Sequence, residues 1–103
     1  MKVNQSEYVQ LDINSTSPFQ STISITDENG VETSNYKVVG NSKLLLGSLD
    51  QLKDSVMNVT TNSRYNTFVN YDISYGNQIV KSEQASRESF FSFHFCPFFP
   101  FCD

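Results

Sequence analysis

The sequence predicts an all-β fold: a single antiparallel β-sandwich, immunoglobulin-like or jelly-roll, with a C-terminal aromatic arm. Apolar residues recur at every second position along most of the chain, which is the period of a strand with one buried face. Asn-Gly, Gly-Asn and Asn-Ser pairs break this pattern about every ten residues, as they do in sandwiches. The polar residues are mostly Ser, Thr and Asn, whose side chains compete with the helical backbone.

The alternation predicts six or seven short strands. They cover residues 7–14, the two arms of a hairpin over 21–39, and residues 44–46, 56–61, 65–75 and 78–82. The hairpin turns at an Asn-Gly pair, since both residue types tolerate positive φ. Residues 48–53 fit either one helical turn, capped by Ser48 with Leu49 and Leu52 facing inward, or a polar loop.

The last fourteen residues hold most of the aromatic surface of the chain. Seven of the nine phenylalanines lie there, together with the single histidine and both cysteines. The seven are Phe90, Phe91, Phe93, Phe95, Phe98, Phe99 and Phe101. Burying one Phe side chain gains about 1.5–3 kcal/mol, so we expect the segment to pack against a surface. The chain then divides into a β-sandwich (1–82), a polar linker (83–89) and an arm (90–103).

Two interpretations of the arm stay open. From residue 91 to 95 Phe alternates with Ser92 and His94, so the segment fits a last strand whose Phe face completes the core of the sandwich. Two adjacent Phe pairs, at 90–91 and 98–99, instead place rings on both faces, whereas a sandwich strand buries only one. The second surface would then belong to a neighbouring subunit, reached by strand addition to a sheet edge.

The cysteines Cys96 and Cys102 enclose a five-residue segment with two prolines. Three states are open for them: a disulfide with each other, cross-links to a neighbouring subunit, or free buried thiols. His94 and Cys96 would point to the same side of an extended strand. However, Cys-x₅-Cys with one histidine is not a zinc spacing, so we predict neither a metal site nor a cofactor.

Composition and charge exclude several classes of function. The net charge is −4 and the Lys and Arg residues are scattered, which argues against nucleic-acid binding. The chain starts without an apolar signal region and contains no stretch of about 20 apolar residues, so we expect a protein made in the cytosol without an integral membrane segment. Catalytic residue patterns and Gly-rich phosphate loops are missing from the sequence, and we therefore predict no enzymatic activity and identify no small-molecule substrate.

The middle of the chain resembles a known family. Turns of Gly and Asn, a leucine run and the stretch Met57-Asn58-Val59-Thr60-Thr61-Asn62 before a Tyr/Val strand are similar to the small β-sandwich, jelly-roll subunits of bacterial spore-surface fibres. The similarity covers residues 21–82. It implies subunits linked through an extended cysteine-bearing arm and assembled on a spore or cell surface without a secretion signal. In that family the arm is N-terminal, whereas the candidate arm here is C-terminal.

The sequence therefore predicts a structural, self-assembling protein. Its aromatic arm would dock onto a neighbouring subunit, locked in place by Cys96 or Cys102, and build a homo-oligomer or a fibre. Two alternatives remain at this stage. One is a folded carrier or precursor that presents its C-terminal peptide for modification, and the other is a peripheral binding module.

Overall fold

The described part of the chain contains eight strands and one short helix. The structure, a computed structural model, describes residues 8–63, 68–76, 78–86 and 89–95. The elements are β1 (Tyr8–Asn14), β2 (Gln20–Thr26), β3 (Glu32–Val39), β4 (Ser42–Ser48), α1 (Leu49–Leu52), β5 (Val56–Asn62), β6 (Phe68–Tyr75), β7 (Gln78–Ser86) and β8 (Ser89–His94).

The strands form two four-stranded antiparallel sheets. Sheet A has the order β4-β1-β6-β7 and sheet B the order β3-β2-β5-β8. Along β1, β2, β5 and β6 every second residue is buried, and the buried faces of the two sheets share one apolar core. The predicted all-β sandwich is therefore confirmed.

The core contains residues from both sheets and from the connections between them. Its buried apolar members are Val9, Leu11, Ile13, Phe19, Ile23, Ile25, Leu46, Leu52, Met57, Val59, Val69, Tyr71, Ile73, Ala85 and Phe95. Half-buried side chains, Phe91 and Phe93 among them, pack against this cluster. The C-terminal strand is thus part of the core rather than an addition to it.

One polar network crosses this apolar core. The hydroxyl of Tyr71, on β6 of sheet A, lies 2.5 Å from Thr61 Oγ1 and 2.9 Å from Ser21 Oγ, both on sheet B. Ser21 Oγ donates in turn to the carbonyl oxygen of Thr60 at 3.2 Å. Each hydroxyl carries one hydrogen, so the direction follows: Thr61 donates to Tyr71, Tyr71 to Ser21, and Ser21 to the backbone. This series of hydrogen bonds gives each of the three hydroxyls a partner and joins β2, β5 and β6.

The connection between β4 and β5 is the short helix α1, which confirms the helical alternative. Ser48 caps it: Ser48 Oγ accepts from the backbone of Gln51 at 3.4 Å, and Gln51 Oε1 accepts from the backbone of Ser48 at 3.1 Å. Gly47 has φ +140, and a Cβ there would lie 2.8 Å from Gln51 Oε1, so glycine leaves room for the cap. Among the described residues no helix is long and apolar enough to cross a membrane.

Both boundaries of the predicted linker differ from the structure. The segment 83–89, predicted as a linker, lies mostly in strands, since β7 continues to Ser86 and β8 begins at Ser89. The two serines form a tight connection in which Ser89 Oγ bonds both backbone groups of Ser86. The polar sequence suggests a linker because β7 is an edge strand with most of its side chains in contact with water. Such a strand can pair through its backbone while its side chains stay polar.

We expect Tyr71→Phe to lower the free energy of unfolding by about 1–3 kcal/mol, because it leaves Thr61 without its acceptor and Ser21 without its donor. In a domain of this size each kcal/mol lowers the melting temperature by about 4–8 °C. Urea unfolding followed by circular dichroism measures the change. The control is Tyr36→Phe, since the half-buried Tyr36 has no hydroxyl partner among the described residues. Equal stability of the two variants would contradict the role of the network.

Candidate interaction surface

The structure divides the predicted aromatic arm between the core and the surface. Phe95 is fully buried, and Phe91 and Phe93 are half-buried against the core. The ring of Phe91 packs edge-on against Tyr71, with centroids 5.2 Å apart, and Phe93 packs edge-on against Phe95 at 5.0 Å. All three phenylalanines pack into the core of their own subunit, as in the last-strand interpretation. The reason is the alternation, which turns every second residue of β8 toward the core of the described sandwich. Phe95 is therefore not available to a neighbour, whereas docking of the half-buried Phe91 and Phe93 stays a prediction.

Phe90 points the other way. It lies on the outer face of sheet B, opposite Thr60, and is 64% exposed. The adjacent pair Phe90–Phe91 therefore splits between solvent and core, as neighbouring residues of a strand must. The remaining predicted arm residues, Phe98, Phe99 and Phe101, lie outside the described residues, as do Cys96 and Cys102. The disulfide, the cross-link and the free thiols all stay predictions.

A tight turn and a bulge fix the end of β8. Lys53 has φ −52 and ψ 130 and Asp54 has φ 64, which are close to the values of a type II turn. Ser55 N closes this turn by donating to Leu52 O at 2.9 Å. Phe95 N then donates to Ser55 O at 2.8 Å, while Phe95 O accepts from Asp54 N at 2.6 Å. Asp54 and Ser55 thus oppose the single residue Phe95, and Asp54 has a positive φ. This is the geometry of a G1 bulge. This bulge places Phe95 in the core.

The same bonds show which backbone groups of β8 stay unused. Both N–H and C=O of Phe95 point toward β5, and backbone groups alternate in direction along a strand. Those of Phe91 and Phe93 therefore also face β5, whereas those of Phe90, Ser92 and His94 face the opposite side. No described strand pairs with that side. β8 is consequently an open edge of sheet B within the part of the chain that the structure describes.

The sandwich has three other sheet edges, and each is protected. Charged side chains lie in all three strands: Glu32 and Lys37 in β3, Lys43 in β4, and Lys81 and Glu83 in β7. A register shift also interrupts the pairing of each of these strands with its neighbour. Charges and bulges are the features by which proteins prevent pairing of exposed edges.

β7 shows this protection most fully. Lys81 and Glu83 lie opposite Ile73 and Tyr71, whose side chains face the core, so the two charges sit at inward-facing positions of an edge strand. Lys81 Nζ lies 3.3 Å from Glu83 Oε1, and both side chains keep contact with water. A second strand added here would bury this ion pair, which opposes pairing.

β8 lacks both features over its whole length, since the bulge opposite Phe95 lies beyond its last residue. Its sequence, Ser-Phe-Phe-Ser-Phe-His, contains no Lys, Arg, Asp, Glu or Pro, and its pairing with β5 runs without a register shift. Uncharged, proline-free six-residue segments rich in aromatic residues pair readily with other strands. Ser92 Oγ donates to Asn58 Oδ1 at 3.0 Å on the outer face, which ties the strand to β5. β8 is therefore the candidate interaction surface.

Comparison of the chain with protein-family models, with curated proteins and with solved structures found no match. The resemblance to spore-surface fibre subunits therefore stays a prediction. Within the described residues no group of three or more His, Cys, Asp or Glu side chains lies close enough to hold a metal ion.

The open edge does not follow from the sequence pattern, in which residues 90–103 form one aromatic segment. A signal was present: residues 89–95 form an uncharged stretch, whereas the other edge strands each contain Lys. The absence of charge indicates an open edge only when the edge strands are known. Strand order depends on pairings between segments far apart in the chain, so the local sequence does not reveal it.

We expect Phe95→Ala to destabilise the domain by about 3–5 kcal/mol, because it opens a cavity in the core, and Phe90→Ala to change stability by less than about 0.5 kcal/mol. Both substitutions remove the same side chain from neighbouring parts of one segment, so each is the control for the other. Urea unfolding of both variants measures the difference. A cost at Phe90 equal to that at Phe95 would contradict the assignment of the two faces.

We expect Asp54→Gly to stabilise the domain by up to about 1 kcal/mol, since a non-glycine residue at positive φ is strained. The matched substitution Asp50→Gly lies in the first turn of α1. It should lower the stability of the domain, because Gly is unfavourable in a helix. Thermal unfolding compares the two variants. A loss of stability with Asp54→Gly would mean that the Asp54 side chain contributes more than its backbone strain costs.

Proposed function

We propose that this chain is a structural protein that assembles with copies of itself, and that two β8 strands from neighbouring subunits form the central contact. The observation that carries the proposal is the contrast between edges: three of the four edge strands in the described sandwich are protected by charges and register shifts, and β8 has neither. An unprotected edge is a template for pairing with another chain.

The backbone of β8 is complementary to itself. Phe90, Ser92 and His94 present their N–H and C=O groups outward, and an antiparallel copy centred on Ser92 sets Ser92 opposite Ser92 and Phe90 opposite His94. Every outward donor then meets an outward acceptor, as in the hydrogen-bonded pairs of an antiparallel ladder. A register shifted by two residues would leave groups unpaired. The result is a two-fold symmetric dimer in which sheet B continues across both subunits.

The side chains support the same register. On the outer face it brings the exposed Phe90 ring beside His94 of the second copy. On the inner face it brings Phe91 beside the second copy's Phe93. Aromatic pairs across strands each contribute about 0.2–1 kcal/mol, and covering Phe90 removes apolar surface from water.

The residues that follow β8 are poorer partners for its open edge. Pro97 and Pro100 are three positions apart, so in an extended segment they would face opposite sides. Whichever side met β8, one proline would lack the N–H that the ladder needs. This favours β8 itself as the paired strand. Phe98, Phe99 and Phe101 would then supply apolar surface for a second contact that extends dimers into a larger oligomer or fibre.

The test is the solution mass of variants, measured by light scattering after size exclusion. We expect the unmodified chain to be a dimer or larger, and Ser92→Lys to weaken association at least tenfold, about 1.4 kcal/mol, toward the monomer mass of 11.7 kDa. The reason is that two lysines would face each other across the symmetry axis. Gln78→Lys, an exposed position on β7, adds the same charge elsewhere and should leave the mass unchanged.

A charge exchange tests the register. Mixing Ser92→Lys with Ser92→Glu should restore a dimer containing one copy of each, because residue 92 meets residue 92 only in the proposed register. A chain ending after Phe95 keeps the described core and should keep the dimer while losing larger species. If Ser92→Lys assembles like Gln78→Lys while the shortened chain becomes monomeric, the tail rather than β8 forms the contact.

A further inference from the structure

The outer face of sheet A carries a polar hollow that the proposed assembly does not use. It is a depression open to solvent, with a volume of about 630 Å³, at the end of the sheet where β6 begins. Its lining consists of Asn14, Ser15, Thr16, Asn41, Phe68, Asn70 and Gln84. A smaller hollow of about 330 Å³ continues from it along the face and shares Asn14 and Asn41. Together they offer the volume of a small-ligand site.

Strand register places three amides in one row across the larger hollow. Asn14 on β1 pairs with Asn70 on β6, and Asn70 pairs with Gln84 on β7. Gln84 Nε2 donates to Asn70 Oδ1 at 3.0 Å, which orients both side chains. Within the described ranges no hydrogen-bond partner is found for the amino group of Asn70 or for Oε1 of Gln84. The same holds for the side-chain amide of Asn14. The row therefore presents donors and acceptors side by side.

A second row on the same face consists of charged groups. Asp12 on β1 lies between Lys43 on β4 and Asp72 on β6. Gln10 Nε2 donates to Asp12 Oδ1 at 2.9 Å, and Ser82 Oγ donates to Asp72 Oδ1 at 2.7 Å. Each carboxylate thus has one oxygen bonded to a neighbour, and both aspartates line the smaller hollow. Two adjacent carboxylates in a chain of net charge −4 repel phosphates and other anions.

An aromatic ring completes the larger hollow. Phe68 lines it and is 59% exposed. Its backbone is fixed, because Ser15 Oγ donates to Phe68 O at 2.9 Å, and Ser15 N donates to Asn41 Oδ1 at 2.8 Å. An exposed ring with a negative face attracts weakly positive C–H groups.

We propose that this hollow binds a neutral saccharide. A sugar hydroxyl donates and accepts at once, which matches a row where amide donors and amide or carboxylate acceptors alternate. The C–H face of a pyranose ring packs on an aromatic ring, and Phe68 supplies one at the edge of the amide row. The carboxylates select against acidic sugars and phosphates. A hollow this open gives an affinity on the order of millimolar.

The experiment titrates the ¹⁵N-labelled full chain with cellobiose, lactose, maltose and N,N′-diacetylchitobiose, each to about 50 mM, a range set by the expected millimolar affinity. We expect the side-chain amide resonances of Asn14, Asn70 and Gln84 to shift and saturate with at least one of these disaccharides. If none of the four shifts them, the proposal is overturned.

Variants then separate the site from non-specific binding. Phe68→Ala and Asn70→Ala should each weaken the saturating disaccharide at least tenfold. The control is Ile79→Ala, an apolar residue on β7 that is 63% exposed and does not line either hollow. It should leave the affinity unchanged, and an equal loss with Ile79→Ala would overturn the assignment to this hollow. Ser92→Lys should also bind normally, so failure of the assembly proposal leaves this test intact.

Discussion

The contact on which the sandwich depends most is made by one side chain, Tyr71. Its hydroxyl crosses from sheet A to accept from Thr61 and donate to Ser21 on sheet B, and its ring packs against Phe91 on the C-terminal strand. Because the bonds are directional, they fix the position of one sheet against the other, which apolar packing alone does less well. The ring contact with Phe91 also ties β8 to the core, so its outer edge is presented by a packed strand rather than by a free tail.

The parts of the fold that follow from local sequence were predictable. Strict alternation gave β1, the hairpin of β2 and β3, and β6, because a strand with one buried face repeats every two residues. The helical turn α1 followed from a serine cap before two inward-facing leucines. At the hairpin turn Gly30 has the expected positive φ, and Asp27 Oδ1 accepts from Asn29 N and Val31 N, so short-range hydrogen bonds decide that turn.

The parts that depend on long-range pairing were not predictable. Phe90 and Phe91 are identical residues, and only the register of β8 on β5 assigns one to solvent and the other to the core. The row of amides joins Asn14 to Gln84 across seventy positions, and no pattern in the sequence brings them together. The open edge likewise exists only once the strand order is known. Local periodicity fixes which residues share a face, whereas sheet topology fixes which faces and edges are free.

Assembly and ligand binding, as proposed, use different surfaces and can reinforce each other. Pairing of β8 extends sheet B, while the hollow lies on the outer face of sheet A, so a dimer keeps both of its hollows open. A two-fold symmetric dimer would present two weak sites at a fixed separation. Against a polymer with repeating sugar units, the second site binds at a high effective concentration once the first is filled. Millimolar affinity for a disaccharide is then compatible with firm attachment of an oligomer to a polysaccharide surface.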